Sequence, residues 1–125
     1  MKHSPGFIAL VEDAKHRVKT QSIAEYNQRL MRRDHHILID VREDHEWANG
    51  RLPGAIHLGK GIIERDIESH FDRNTPIVCY CGGGYRSALV CDNLQRMGYT
   101  NVTSLDGGYR GWVAANLPIE TDETE

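Results

Sequence analysis

Short unbroken apolar runs alternate along this chain with longer stretches in which apolar residues return every three or four positions. The first stretch, residues 5–19, carries Phe7, Leu10, Val11, Ala14 and Val18 at helical spacing, with Pro5 suited to a first turn. Ser22 followed by Glu25 has the form of a capping box and opens a second helix to about Arg33, through Ile23, Tyr26, Leu30 and Met31. Ile37-Leu38-Ile39-Asp40-Val41 reads as a buried strand that ends in a charged cluster. A short helix is expected over 43–49, a turn at Pro53-Gly54, and a second short strand at Ala55-Ile56-His57-Leu58. A short helix over 62–72, a strand over Ile77–Tyr80, a long helix over 87–97 and a strand over Val102–Leu105 follow. Gly107-Gly108 then turns the chain into a helix carrying Trp112.

Apolar strands alternating with helices imply an α/β fold, with a mainly parallel sheet covered by helices on both faces. Sites in such sheets form beyond the C-terminal ends of the strands. Asp40 and Cys81 both stand at such ends, so their two clusters are expected on one rim.

The second cluster is the more telling. Cys81-Gly82-Gly83-Gly84-Tyr85-Arg86-Ser87 places a thiol where a strand stops, a glycine loop curls and a helix begins. Glycines let successive N–H groups turn inward around one point, and a helix N-terminus adds roughly half a positive charge there. A sulfur so placed is favoured as an anion and can hold or pass on an anionic group. The segment reads as an anion cradle around a nucleophilic sulfur.

Composition narrows the setting. At 125 residues, 39% hydrophobic and 26% charged, the chain fits one ordinary domain. No apolar run approaches the ~20 residues of a membrane span. Charged residues interrupt the N-terminal segment too early for a secretory leader, so a cytoplasmic protein without membrane attachment is expected. Of the three cysteines, Cys79 and Cys81 are too close to pair without strain, while Cys79 and Cys91 are expected to point into the core. No Cys or His spacing suggests a metal site. The net charge of −3 is set by the tail: Glu120, Asp122, Glu123 and Glu125 fall in the last six residues, and without them the chain stands at about +1. That tail, residues 118–125, is expected to be a solvated end. No basic stripe with interleaved aromatics is present, so nucleic acid is not an expected partner.

Four stretches in order now carry a resemblance: Ile39-Asp40-Val41-Arg42-Glu43, Gly50-Arg51-Leu52-Pro53-Gly54-Ala55-Ile56-His57, the Cys81–Ser87 loop, and Leu105-Asp106-Gly107-Gly108-Tyr109-Arg110-Gly111-Trp112. Together they resemble the rhodanese-like family, specifically a single-domain sulfurtransferase. The resemblance implies a three-layer fold with a central sheet of about five strands, a domain over residues 18–117 and an added helix within 1–17. It implies transfer of a sulfane sulfur from thiosulfate or another persulfide donor to cyanide, a thiol or a protein acceptor, with Cys81 carrying the persulfide and no cofactor. The N–H groups of Gly82, Gly83, Gly84, Tyr85, Arg86 and Ser87 would stabilise the persulfide's charge, as in an oxyanion hole. Arg86 would bind the anionic donor through its fork of donors. Asp40, Arg42 and Glu46 match supporting positions, the acids holding Arg86 or Arg42 rather than meeting an anion. Gly107-Gly108 and Trp112 are expected to be structural. The loop offers one cation and one aromatic, so thiosulfate is expected to be a surrogate donor. Two alternatives stay open: a non-catalytic rhodanese-like binding module, and a cysteine phosphatase or arsenate reductase. Phosphatase loops place five residues between cysteine and arginine, and here Gly82 to Tyr85 make four.

Overall fold

The alternating pattern folds into five strands and six helices in a computed structural model that describes residues 3–123. The strands are β1 (Lys19–Gln21), β2 (Ile37–Asp40), β3 (Ile56–His57), β4 (Ile77–Tyr80) and β5 (Val102–Leu105). The helices are α1 (Pro5–Lys15), α2 (Ile23–Met31), α3 (Asp44–Ala48), α4 (Ile63–Asp66), α5 (Tyr85–Arg96) and α6 (Gly108–Ala114), with a 3-10 turn at Ile67–Ser69 after α4. All neighbouring strands run parallel in the order β1-β5-β4-β2-β3. Every residue of β4 is buried, as a central parallel strand covered on both faces requires.

Strand alternation sorts the core into two halves. Ile77, Cys79 and Ile39 face Ile63, Ile67, Val90 and Leu94 of α4, its following turn and α5. Val78, Tyr80 and Leu38 face Tyr26 of α2 and Trp112 of α6. These are the two helical layers expected from the pattern. The Ser22–Glu25 box is also present: the Glu25 N–H donates to Ser22 Oγ at 3.1 Å and the Ser22 N–H to Glu25 Oε1 at 2.8 Å. Among the described residues no helix is long and apolar enough to cross a membrane.

The helix expected over 62–72 is shorter, α4 passing into a 3-10 turn that ends at Ser69, and three further local expectations differ from the fold. The first helix stops at Lys15, and Lys19–Gln21 instead forms an edge strand in register with Thr103–Leu105. The long helix starts at Tyr85 rather than at residue 87, because Gly84 serves as its N-cap. The acidic tail is docked as far as it is described. Glu120 and Arg51 exchange backbone hydrogen bonds of 2.8 and 2.9 Å, Glu120 Oε1 accepts from the Gly54 N–H, and Asp122 pairs with Arg51 at 2.7 Å.

Candidate active site

Cys81 follows the last residue of β4 and, two positions beyond Cys79, faces the same half of the core. Within three residues the chain must reverse into α5. Gly84 makes that reversal at φ +106°, and a Cβ there would press on Asp106 Oδ1 at 3.2 Å and on backbone at 3.4 Å. The opposite side of the loop is held by the first turn of α6. The Tyr109 N–H donates to the Cys81 carbonyl at 2.8 Å and the Arg110 N–H to that of Gly82 at 3.0 Å. This approach needs Gly108, at φ +54°, whose missing Cβ would strike the Cys81 carbonyl.

With those carbonyls turned toward α6, loop amides face the sulfur. The Gly84 N–H donates to Cys81 Sγ at 3.1 Å and the Ser87 N–H at 3.4 Å. The Cys81 thiol lies 3.6 Å from Ser87 Oγ, which pairs with Ser104 Oγ of β5 at 2.8 Å. A charged sulfur here meets fixed donors whose cost of orientation was met during folding.

The charged residues divide into two pairs. Arg86, on the first turn of α5, meets Glu46 of α3 through two bonds of 2.7 and 3.1 Å. Their proximity holds the Glu46 carboxyl down at about 2, chiefly through the Arg86 hydrogen bonds. The Arg86 guanidinium is raised in turn, first by Glu46 and then by the Cys81 sulfur beside it. Asp40 and Arg42 are instead a buried brace. Arg42 Nη2 reaches Asp40 Oδ2 at 2.8 Å and the Gly50 carbonyl at 2.6 Å, and its guanidinium lies 4.3 Å from the Tyr109 ring centroid. That brace ties β2 to the 50–54 turn and α6, and neither residue lines the cavity at Cys81.

The cavity has a volume of about 780 Å³, and its walls include Glu46, Cys81, Gly83, Tyr85 and Arg86. Three further lining residues were not among the sequence candidates: His3, Phe7 and Arg110. The loop's one cation and one aromatic are therefore joined in the cavity by a second cation and further rings from outside the loop. The Arg110 guanidinium lies against Gly82 and Gly83, so close that a Cβ on Gly82 would come within 2.8 Å of it. Arg110 lies inside the Leu105–Trp112 stretch, but only the α6 contact to the loop reveals its direction. His3 and Phe7 belong to the added N-terminal segment, for which no motif gave a signal. Cys79 and Cys91 are fully buried in the core, and the Cys91 thiol is raised by its neighbour Cys79 and by burial. Neither is placed as a nucleophile.

The rhodanese-like domain family model matches residues 22–115, and the chain belongs to that family. A sulfurtransferase of Allochromatium vinosum is 34% identical over 97 residues, covering 78% of this chain and 90% of that protein. The thiosulfate sulfurtransferase GlpE of Haemophilus influenzae is 37% identical over 86 residues, covering 68% and 80%. Among solved structures, a Rhodopseudomonas palustris protein of unknown function, named as a possible tyrosine phosphatase, superposes with TM-score 0.81 at 26% identity and covers 96% of this chain and 98% of that one.

Proposed function

We propose that this sulfurtransferase-family protein moves a sulfane sulfur from thiosulfate or another persulfide donor to cyanide or a thiol, through a persulfide on Cys81. The observation that carries the reading is the pair of backbone amides, of Gly84 and Ser87, donating to Cys81 Sγ, a buried thiol that still lines the cavity. In the first half-reaction the Cys81 thiolate attacks the outer sulfur of thiosulfate. A bond from Sγ to that sulfur forms, the donor's S–S bond breaks, and its electron pair leaves on sulfite. In the second half-reaction a nucleophile takes the outer sulfur and the electron pair returns to Sγ.

Gly82 to Ser87 supply the backbone donors for the terminal sulfur, and Ser87 Oγ turns its hydrogen toward Sγ once the thiol proton is gone. Arg86 binds the donor's negative charge beside the sulfur, oriented by Glu46, and Arg110 adds a second cation at the mouth. Asp40 and Arg42 act from behind the loop by bracing α6. A loop with four residues between Cys81 and Arg86 suits a single added sulfur better than a tetrahedral phosphoryl group, which argues against phosphatase chemistry. Retention of a cysteine among the residues lining the cavity argues against a purely binding role.

Intact mass after incubation with thiosulfate tests the reading. The protein gains one sulfur atom, loses it on adding a thiol, and Cys81→Ser gains none while keeping its fold. Loading that persists in Cys81→Ser would end this mechanism.

A further inference from the structure

Part of the cavity wall comes from residues that the family match, beginning at residue 22, does not reach. His3 and Phe7 stand at the start of α1, with ring centroids 4.7 and 6.1 Å from that of Tyr85 and 5.3 Å from each other. Three tilted rings thus form a shelf beside the sulfur loop. The shelf is anchored from behind. Val11 and Ala14 are buried as α1 packs on α5, and Arg17 grips Asp92 of α5 through bonds of 2.7 and 3.0 Å. Lys15 adds a contact of 3.6 Å to Asp106 and lies 5.3 Å from the Tyr85 ring centroid.

The cations of the cavity are unequal. Arg86 spends two donors on Glu46, whereas the Arg110 guanidinium has no ion-pair or side-chain hydrogen-bond partner among the described residues. Size separates the ligands further. Pockets of about 300–1,000 Å³ take organic molecules, and a cavity of about 780 Å³ is left mostly empty by a compact inorganic anion.

We propose that α1 makes this cavity the site of an organic thiol acceptor bearing a carboxylate. Its body lies against Phe7, His3 and Tyr85, its carboxylate on Arg110, and its sulfur beside Cys81. The inference rests on the sulfurtransferase reading above. In the transfer the acceptor thiolate attacks the outer sulfur of the Cys81 persulfide. A new S–S bond forms, the bond to Sγ breaks with its electron pair staying on Sγ, and the acceptor departs as its own persulfide. No outside oxidant or reductant is needed.

The test compares kcat/KM for glutathione, dithiothreitol and cyanide as acceptors, with thiosulfate as donor. An aromatic contact of this kind is worth about two- to tenfold, so Phe7→Ala lowers the glutathione-to-cyanide ratio by about that factor. Phe7→Leu keeps apolar packing at the start of α1 but removes the ring, and lowers the ratio too. Loss of a charged hydrogen bond in Arg110→Gln lowers the glutathione-to-dithiothreitol ratio about tenfold or more. Leu10→Ala, on an exposed face of α1, leaves both ratios at wild-type values. Ratios that stay fixed in the Phe7 and Arg110 variants, while sulfur still passes to cyanide, overturn the acceptor site alone. Wild-type protein that takes no sulfur from thiosulfate overturns the sulfurtransferase reading and this inference with it.

Discussion

Gly84→Ala and Gly83→Ala, one residue apart, should fail in different ways. Gly84 sits at φ +106°, where a side chain is strained, and its Cβ would face Asp106 and the Gly107 backbone at 3.2–3.4 Å. Backbone strain of this sort costs about 1–3 kcal/mol. At roughly 4 °C per kcal/mol for a domain of this size, Tm falls by about 4–12 °C. Relief of the strain rotates the 83–84 peptide and draws its N–H away from Sγ, now at 3.1 Å. A hydrogen bond to a charged group is worth about 1.5–3 kcal/mol, so kcat/KM with thiosulfate falls about ten- to a hundredfold. Gly83 does not share the positive φ, and its Cβ would collide only with the Arg110 guanidinium, the free end of a flexible side chain. Gly83→Ala therefore keeps Tm within about 2 °C, displaces Arg110 and raises KM more than it lowers kcat. Thermal melts and steady-state kinetics with thiosulfate and cyanide separate the two. Equal Tm losses in both variants, or wild-type kinetics in Gly84→Ala, would refute the account of the loop.

Arg86→Ala should lower kcat/KM for thiosulfate about ten- to a hundredfold, and Arg86→Lys should recover only part because a point charge replaces a fork. Asp40→Ala leaves the Arg42 guanidinium buried without its carboxylate, at a cost of about 3–5 kcal/mol in urea denaturation. Glu46 titrates at about 2 in the fold against about 4.5 ordinarily, so its contribution is present above 4.5 and is lost as pH falls toward 2. Wild-type stability should decline across that acid window, and Glu46→Gln should flatten the decline. Parallel pH profiles for the two proteins would remove the Glu46–Arg86 pair from the stability of the site.

What could be read from the chain was what local chemistry decides. Ile77–Tyr80 is apolar because both its faces are covered, and Ser22 with Glu25 announces a helix start by itself. Cys81 to Ser87 was legible for the same reason: strand end, glycines and helix start are contiguous. Lys19–Gln21 was not, since a polar edge strand carries no apolar signal and exists only through its pairing with β5. The docking of Glu120 and Asp122 on Arg51 joins segments far apart in sequence, so the sequence alone presents these charges as a solvated end. Arg110, His3 and Phe7 reach the cavity by the packing of α6 and α1, which no local pattern encodes.

The same distinction bears on how the proposed chemistry would proceed without a base in the Cys81–Ser87 loop. Within the family-matched segments, His57 is turned away, its Nε2 donating to the Arg42 carbonyl at 2.8 Å. In the proposed mechanism a charge on sulfur would be met by backbone, and backbone can face inward only if its carbonyls are satisfied elsewhere. α6 does that, taking the Cys81 and Gly82 carbonyls with the N–H groups of Tyr109 and Arg110 in its first turn. The Asp40–Arg42 brace, through Tyr109, fixes where α6 lies. Residues outside the cavity thus set which way the cradle's dipoles point, while on the proposed reading residues lining it would choose what approaches. Substitutions in the brace should change stability and loop order together, whereas those at Arg86, Arg110 or Phe7 should change the preference among donors and acceptors.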